Sequence, residues 1–126
     1  MHENDVSDRI IGAAIEVHRA LGPGLLEGVY EEALCHELHL RGLAFERQKG
    51  VPFACKGVKL STDLRLDLIG GNLVILDGKA KEEMTKKDHA KTLTYLRLTG
   101  IRLGLNINFH EPMLVDGVRR IVNGLT

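Results

Sequence analysis

The spacing of apolar residues changes once along this chain, close to Leu43, and that change does most to limit the possible folds. Before it, apolar residues recur every three or four positions, which predicts helices over Asp5–Ala20 and Leu25–Arg41. The segment 21–24, Leu-Gly-Pro-Gly, breaks the helical pattern between them. After Leu43 apolar residues alternate with polar ones, which is typical of half-buried strands. The chain therefore begins with two helices and continues into a sheet.

The rest of the chain supplies the strands of that sheet and one more helix. The predicted elements are strands over 51–55, 58–60, 64–69 and 73–80, a helix over Thr85–Thr99, a strand over Ile101–Phe109, a short edge strand over Pro112–Val115 and a terminal helical turn over Asp116–Val122. This order predicts one domain over residues 1–126, in the α/β (α+β) class, with a mixed sheet flanked by helices.

The hairpin predicted over 64–80 carries the polar residues of most interest. Asp77 and Lys79 are two positions apart, so on a strand they share one face. Asp67 joins that face only if the intervening turn has an odd number of residues. A three-residue turn at 70–72 satisfies this condition, pairs Asp67 with Ile75 and makes Asp77 a diagonal neighbour of Asp67.

Two converging carboxylates with backbone oxygens suit Mg²⁺ or Mn²⁺, which prefer hard oxygen ligands. A lysine beside such an ion can orient water or stabilise charge that develops on phosphorus. The pattern of Asp67, Asp77 and Lys79 therefore favours phosphodiester hydrolysis. A solvated strand face, with Asp77 paired to Arg65 on the opposite strand, is the structural alternative.

Composition limits the function classes. Lysine and arginine together number 17, as do aspartate and glutamate, which argues against a protein that coats DNA nonspecifically. Tryptophan is absent and aromatic residues are few, so a base-stacking platform is not indicated. The first residues lack the apolar core of a signal peptide, and no apolar run approaches membrane-spanning length. We expect a cytoplasmic protein that does not enter a membrane.

Three longer segments resemble a known family in combination. They are Gly24-x-x-Glu27-x-x-Tyr30, then RLDLIGGNLVILDGKAK, and then LTYLRLTGIRLGLNINF. Together they resemble the GxxExxY family, a branch of the PD-(D/E)XK nuclease superfamily, from about His18 to Asn123. The resemblance implies a restriction-endonuclease-like core and a divalent-metal-dependent nuclease.

The resemblance also implies roles for individual residues. Asp67 matches the first acidic residue of the motif, and Asp77 and Lys79 match its (D/E)xK pair. Glu27 matches an acidic residue that often completes the metal shell, and the carbonyl of Gly78 is a further ligand in such sites. These matches predict Glu27, Asp67, Asp77 and Gly78 as metal ligands, with Lys79 beside them.

This chain departs from the family pattern in three places. Asp77 replaces the usual glutamate, which retracts the carboxylate by one methylene. Lys91 stands where similar sequences carry glutamine, four residues before Tyr95. Asp88, with His89 next to it, stands where a histidine is usual. Lys91 is expected either to bind phosphate or to place its own positive charge where the metal ion would otherwise be.

Several lysines near the hairpin and the third helix form a predicted basic patch, whose alternative is a solvated charge run. They are Lys79, Lys81, Lys86, Lys87 and Lys91. We therefore predict a nuclease-like domain, monomeric or homodimeric, in which Lys81, Lys87, Lys91 and Tyr95 contact DNA or RNA. The alternative is a catalytically degenerate module of the same fold that binds nucleic acid or a protein partner.

Overall fold

The computed structural model describes residues 1–125 and contains three α-helices, seven strands and one short 3₁₀ helix. The helices are α1 (Glu3–Leu21), α2 (Glu27–Leu40) and α3 (Lys86–Thr99), and the 3₁₀ helix is Leu114–Gly117. The strands are β1 (Phe45–Val51), β2 (Ala54–Cys55), β3 (Val58–Lys59), β4 (Leu64–Gly70), β5 (Val74–Lys79), β6 (Leu103–Asn108) and β7 (Val118–Val122). None of the helices in residues 1–125 is long and apolar enough to cross a membrane.

Five strands form one mixed sheet in the order β1-β4-β5-β6-β7. Only β5 and β6 run parallel, and α3 connects them, as parallel neighbours require a crossover. The other neighbouring strands are antiparallel. The short strands β2 and β3 form a separate exposed hairpin that turns at Lys56 and Gly57. The predicted mixed sheet flanked by helices, in the α+β class, is confirmed.

The helices cover both faces of the sheet. The larger core cluster lies on the α1 and α2 side, and the smaller one, which includes Ile75 and Leu96, lies beneath α3. Two strand glycines allow the helices to approach closely. A Cβ atom at Gly70 would lie 2.8 Å from Ile10 of α1, and one at Gly104 would lie 2.7 Å from Thr92 of α3.

The end of the chain differs from the prediction. The segment predicted as an edge strand contains instead the start of the 3₁₀ helix, and the segment predicted as a helical turn contains β7. β7 pairs antiparallel with the outer edge of β6, and its Ile121 is buried beneath α3. Val118, Ile121 and Val122 are β-branched and suit a pleated strand, and pairing with an open sheet edge outweighs any local helical tendency. Both predictions for this end were wrong.

The strand predicted over 51–55 was also wrong, because it spans the end of β1, a break at 52–53 and the short strand β2. β1 starts at Phe45 and ends at Val51, immediately before Pro52. Proline has no amide hydrogen to donate, so it ends the ladder there and separates β1 from the exposed hairpin.

Candidate active site

The β4–β5 hairpin places two of the predicted site residues. It turns through Gly71, Asn72 and Leu73, and it closes with Gly70 opposite Val74. The turn has three residues, as predicted, but it begins one residue later, so the predicted pairing of Asp67 with Ile75 was wrong. Gly71 and Asn72 have φ angles of 56° and 57°, and these two successive left-handed residues form the turn after Gly70 has joined the strand.

The sheet divides where the two aspartates lie. The last β4–β5 pair is Leu68 with Leu76, and the same register continued would set Asp67 directly opposite Asp77. Beyond that pair, β4 is paired only with β1, and β5 is paired only with β6, as far as Lys79. The two carboxylates therefore lie close together at the gap between neighbouring strands.

Asp77 has an unusual environment for a carboxylate. It is 6% exposed, and Nζ of Lys79 lies 3.3 Å from its Oδ1. Neither carboxylate oxygen has a hydrogen-bond partner among the described residues. The alternative ion pair with Arg65 does not form, because the Arg65 guanidinium donates to the carbonyl of Gln48. Buried carboxylates normally accept several hydrogen bonds, so beyond the ion pair with Lys79 these oxygens have unused coordination capacity.

Asp67 is half-buried next to Asp77. Burial and then the neighbouring Asp77 carboxylate raise the pKa of Asp67 from its ordinary value of 3.8 to about 7. Glu31 adds to this rise, and the ammonium of Lys91 opposes it. At neutral pH Asp67 therefore holds a proton for part of the time when no cation is bound. Two close carboxylates that resist joint ionisation form a site that favours an added positive charge.

Lys79 stays positively charged in this setting. Burial lowers the pKa of Lys79, but the Asp77 carboxylate raises it, with help from Glu27 and Asp67, and the net shift is upward. An ammonium with a raised pKa cannot act as a general base at neutral pH. It can donate hydrogen bonds and stabilise negative charge.

A cavity of about 210 Å³ lies between α2 and the sheet at this gap. Glu27, Glu31, Asp67 and Gly78 line it with apolar residues of the core. Glu27 is exposed at the first turn of α2. Within the described part of the chain, no three His, Cys, Asp or Glu side chains are close enough to hold a metal ion together. Glu27 thus shares the cavity with Asp67 without completing a tight three-carboxylate group, and its role as a ligand stays a prediction.

A second, smaller cavity lies on the α3 side of the same gap. Both aspartates line it, together with Lys91 and Tyr95. Nζ of Lys91 lies 5.5 Å from the centre of the Tyr95 ring, which is within the range of a cation–π contact. Lys91 and Tyr95 therefore lie beside the carboxylate pair, and their contact with nucleic acid stays a prediction.

Two other predicted nucleic-acid contacts lie near the start of α3. The Lys81 ammonium forms an ion pair with Asp88, while Lys87 is exposed on the first turn of the helix. Burial raises the pKa of Asp88, but hydrogen bonds from Lys81 and the Thr85 backbone outweigh it and hold the pKa below its usual range. Lys81 is thus engaged by an internal carboxylate. Contact of Lys81 and Lys87 with nucleic acid stays a prediction.

Glu31 is a site residue that the sequence analysis did not identify. It lies one helical turn after Glu27 and on the same side of α2, and this i to i+4 spacing was the available signal. Its carboxylate accepts hydrogen bonds from Arg47 and Gln48, each 2.8 Å long. Glu31 therefore ties α2 to β1 while adding negative charge to the larger cavity.

Tyr30, the last residue of the Gly24-x-x-Glu27-x-x-Tyr30 motif, has a structural role in the core. It is 1% exposed and stacks on Phe109 with ring centres 4.7 Å apart. Its hydroxyl donates to the carbonyl of Gly22 and accepts from the Leu25 amide, so it fixes the turn before α2. The motif therefore places the start of α2, and with it Glu27, over the sheet.

Comparison with known proteins identifies the family. A search of curated proteins and a search of solved structures gave no significant match. One family model matches residues 4–121, and it describes the PD-(D/E)XK nuclease superfamily. The match covers nearly the whole chain, including all three helices and the gap in the sheet. The finer resemblance to the GxxExxY branch stays a prediction. The chain therefore belongs to the PD-(D/E)XK nuclease superfamily.

Proposed function

We propose that this chain is a divalent-metal-dependent nuclease that hydrolyses phosphodiester bonds in nucleic acid. The observation that carries the proposal is the carboxylate of Asp77, which is buried, has no hydrogen-bond partner among the described residues, and lies beside Asp67 and Lys79. The Lys79 ammonium is the only ion-pair partner of Asp77 among the described residues, and a buried carboxylate with so few partners is costly, which favours a bound ligand at this position.

The donor set fits Mg²⁺ or Mn²⁺. Both ions prefer oxygen ligands, and Mg²⁺ commonly uses one or two carboxylates while keeping several waters. Asp67 and Asp77 would supply the carboxylates, and the Gly78 carbonyl would be a further ligand. Glu27 adds negative charge from α2 to the cavity that Asp67 and Gly78 line. A third carboxylate in direct contact is not needed for such an ion.

When bound, the ion would polarise the phosphoryl group and lower the pKa of a coordinated water. Lys79 would act as a fixed cation, because the raised pKa of its ammonium keeps it protonated. It would donate hydrogen bonds to the attacking water or to a phosphoryl oxygen, and it would stabilise charge that develops in the transition state.

A second candidate function is that of a noncatalytic module that binds nucleic acid or a protein. Lys91 favours it, because its ammonium lies at the smaller cavity beside both aspartates and lowers the pKa of Asp67. A positive charge so near a carboxylate pair opposes the binding of a further cation.

Cleavage assays separate the two candidates. A nuclease cleaves DNA or RNA with Mg²⁺ or Mn²⁺, and EDTA abolishes the cleavage. Lys79→Ala should lower kcat by about 100-fold or more while Mn²⁺ binding is kept or becomes tighter, since lysine is not a ligand and its ammonium opposes a cation at Asp77. Lys59→Ala, in the exposed hairpin, is the matched control and should cleave as the wild type does. Wild-type cleavage by Lys79→Ala would rule out the role given to Lys79, and nucleic-acid binding without any cleavage would favour the noncatalytic module.

A further inference from the structure

Gln48 is a strand residue with an unusual backbone conformation. It lies inside β1, yet its φ angle is 51°, in the left-handed region that extended strands do not use. Two other non-glycine residues of the described chain have a positive φ angle, Lys56 and Asn72, and both lie in hairpin turns. A left-handed conformation is costly for a residue with a Cβ atom and persists only where neighbouring contacts hold it. Inside a strand it therefore requires an explanation.

The left-handed residue lies opposite Asp67. The ladder between β1 and β4 runs from Phe45 to Val51 with one position missing, at which Gln48 faces Asp67. On the other side of β4, the pairing with β5 ends at Leu68, the residue next to Asp67. Asp67 therefore has no register partner in either of the two ladders. The interruption of β1 coincides with the residue that is proposed as a metal ligand.

Contacts from α2 and β4 hold Gln48 in this conformation. Core packing does not impose it, because Gln48 is exposed. Its Nε2 donates a 2.8 Å hydrogen bond to Oε1 of Glu31 on α2, and its backbone carbonyl accepts a 2.8 Å hydrogen bond from Nη1 of Arg65 on β4. Arg47 donates to the other oxygen of the Glu31 carboxylate, so two successive residues of β1 are bound to one residue of α2. Both flanking elements thus stabilise the strained backbone.

A regular ladder at this position would change the surroundings of Asp67. Residues directly opposite each other in an antiparallel pair project from the same face, with Cβ atoms about 4.5–5.5 Å apart. An extended Gln48 would place its amide beside the Asp67 carboxylate, where it would donate a hydrogen bond and occupy an oxygen. In the structure the amide donates to Glu31 instead, although Gln48 and Asp67 line the same cavity.

We propose that Gln48 is a positioning residue, whose left-handed backbone keeps β1 from pairing with Asp67 and so leaves the Asp67 carboxylate available to a divalent cation. The cation in this role rests on the proposed function. Gln48 acts through Asp67 and does not itself contact the reacting atoms. Strand β1 is therefore strained at one residue for the benefit of the site, and the strain and the metal affinity should change together.

Calorimetry of Mn²⁺ binding to two variants tests this role. Gln48→Gly and Gln48→Val both remove the amide that bonds to Glu31, but glycine accepts a positive φ angle whereas valine favours an extended strand. Gln48→Gly should keep the Mn²⁺ affinity within about twofold of wild type, and Gln48→Val should weaken it about fivefold or more, because the strain of one left-handed residue corresponds to a factor of about that size in an equilibrium constant. Wild-type affinity in Gln48→Val, or an equal loss in both variants, overturns the role.

Lys56 supplies the matched control, because its φ angle is 50° in the turn of the exposed β2–β3 hairpin. Lys56→Gly should have a higher Tm than Lys56→Val, as Gln48→Gly should have relative to Gln48→Val, since glycine relieves the strain that valine increases. Both Lys56 variants should bind Mn²⁺ as the wild type does. If the Gln48 variants likewise differ in Tm and not in Mn²⁺ affinity, Gln48 is merely structural and the proposal is wrong.

A measurement in EDTA separates this role from the proposed function. In ¹H–¹⁵N NMR of the metal-free protein, the backbone amide signals of Asp67 and Asp77 should move in Gln48→Val and stay near their wild-type positions in Gln48→Gly. Asp77 lies two strands from Gln48, about 10 Å away, so its signal reports a change that is relayed through Asp67. Absence of Mn²⁺ binding by the wild type would sink the proposed metal site, and these two signals would still decide whether Gln48 positions Asp67. Signals unmoved in Gln48→Val sink the positioning role whatever the metal result.

Discussion

Replacing Asp67 with asparagine should stabilise the metal-free protein at alkaline pH and leave its stability unchanged in acid. Burial and Asp77 raise the pKa of Asp67 from 3.8 to about 7 in the folded state. Between these values the folded protein keeps a proton that the unfolded chain has released, so the free energy of unfolding of the wild type falls as pH rises from about 4 to about 7. Asp67→Asn removes this loss because the amide does not ionise.

The magnitude follows from the shift. A change of about three pKa units corresponds to about 4 kcal/mol at 1.36 kcal/mol per unit. Asp67 is only half-buried, so solvent screening reduces this ceiling, and we expect a gain of about 1–2 kcal/mol at about pH 8. For a domain of this size that gain raises Tm by about 3–8 °C.

The assay is urea unfolding in EDTA, followed by circular dichroism at about pH 4 and about pH 8. Asp8→Asn, an exposed substitution on α1, is the control and should change stability by less than about 0.5 kcal/mol at both pH values. Mn²⁺ at 100 times the wild-type Kd should shrink the difference by about 1.3 kcal/mol or more, because it stabilises the wild type by about 2.7 kcal/mol and a variant with about 10-fold weaker affinity by about 1.4 kcal/mol. Equal stability of Asp67→Asn and wild type at pH 8, or a gain of the same size at pH 4, would refute the reasoning.

Three further substitutions test separate parts of the account. Lys91→Gln removes the ammonium beside the carboxylate pair and should tighten Mn²⁺ binding, which calorimetry measures. If the substitution instead weakens oligonucleotide affinity and leaves Mn²⁺ affinity unchanged, Lys91 is a phosphate contact. Gly70→Ala should destabilise the fold by about 1–3 kcal/mol in urea, because its Cβ would lie 2.8 Å from Ile10, whereas Gly28→Ala, with open space and a helical backbone, should be neutral or slightly stabilising. Tyr30→Phe should cost about 1 kcal/mol in the same assay through lost hydrogen bonds to the turn before α2, and an unchanged midpoint would contradict that role.

The elements with strong local signals could be predicted from the sequence. The three helices have clear apolar periodicity and glycine-containing ends, and the observed bounds differ from the predicted ones by one or two residues. The shared face of Asp67 and Asp77 followed from an odd turn length. The exact register of β4 and β5 could not be predicted, because it depends on the left-handed conformations of Gly71 and Asn72 and on the close contact of Gly70 with α1.

The parts that sequence reasoning missed depend on contacts between distant segments. β7 forms because β6 offers an open edge, and its own residues do not reveal that partner. Glu31 was visible as a helical neighbour of Glu27, but only the fold shows that it lies at the cavity of Asp67.

Calorimetric titration of Mn²⁺ into the wild type, Asp67→Asn and Asp77→Asn tests the central claim most directly, because the buried Asp77 carboxylate and its neighbour Asp67 are assigned to a metal ion. The account predicts one saturable site in the wild type at about pH 8. It also predicts affinities about 10-fold or more weaker in both variants, since each loses one of two charged ligands. Wild-type affinity in Asp77→Asn, or no Mn²⁺ binding by the wild type, would contradict the assignment of this pair as a metal centre.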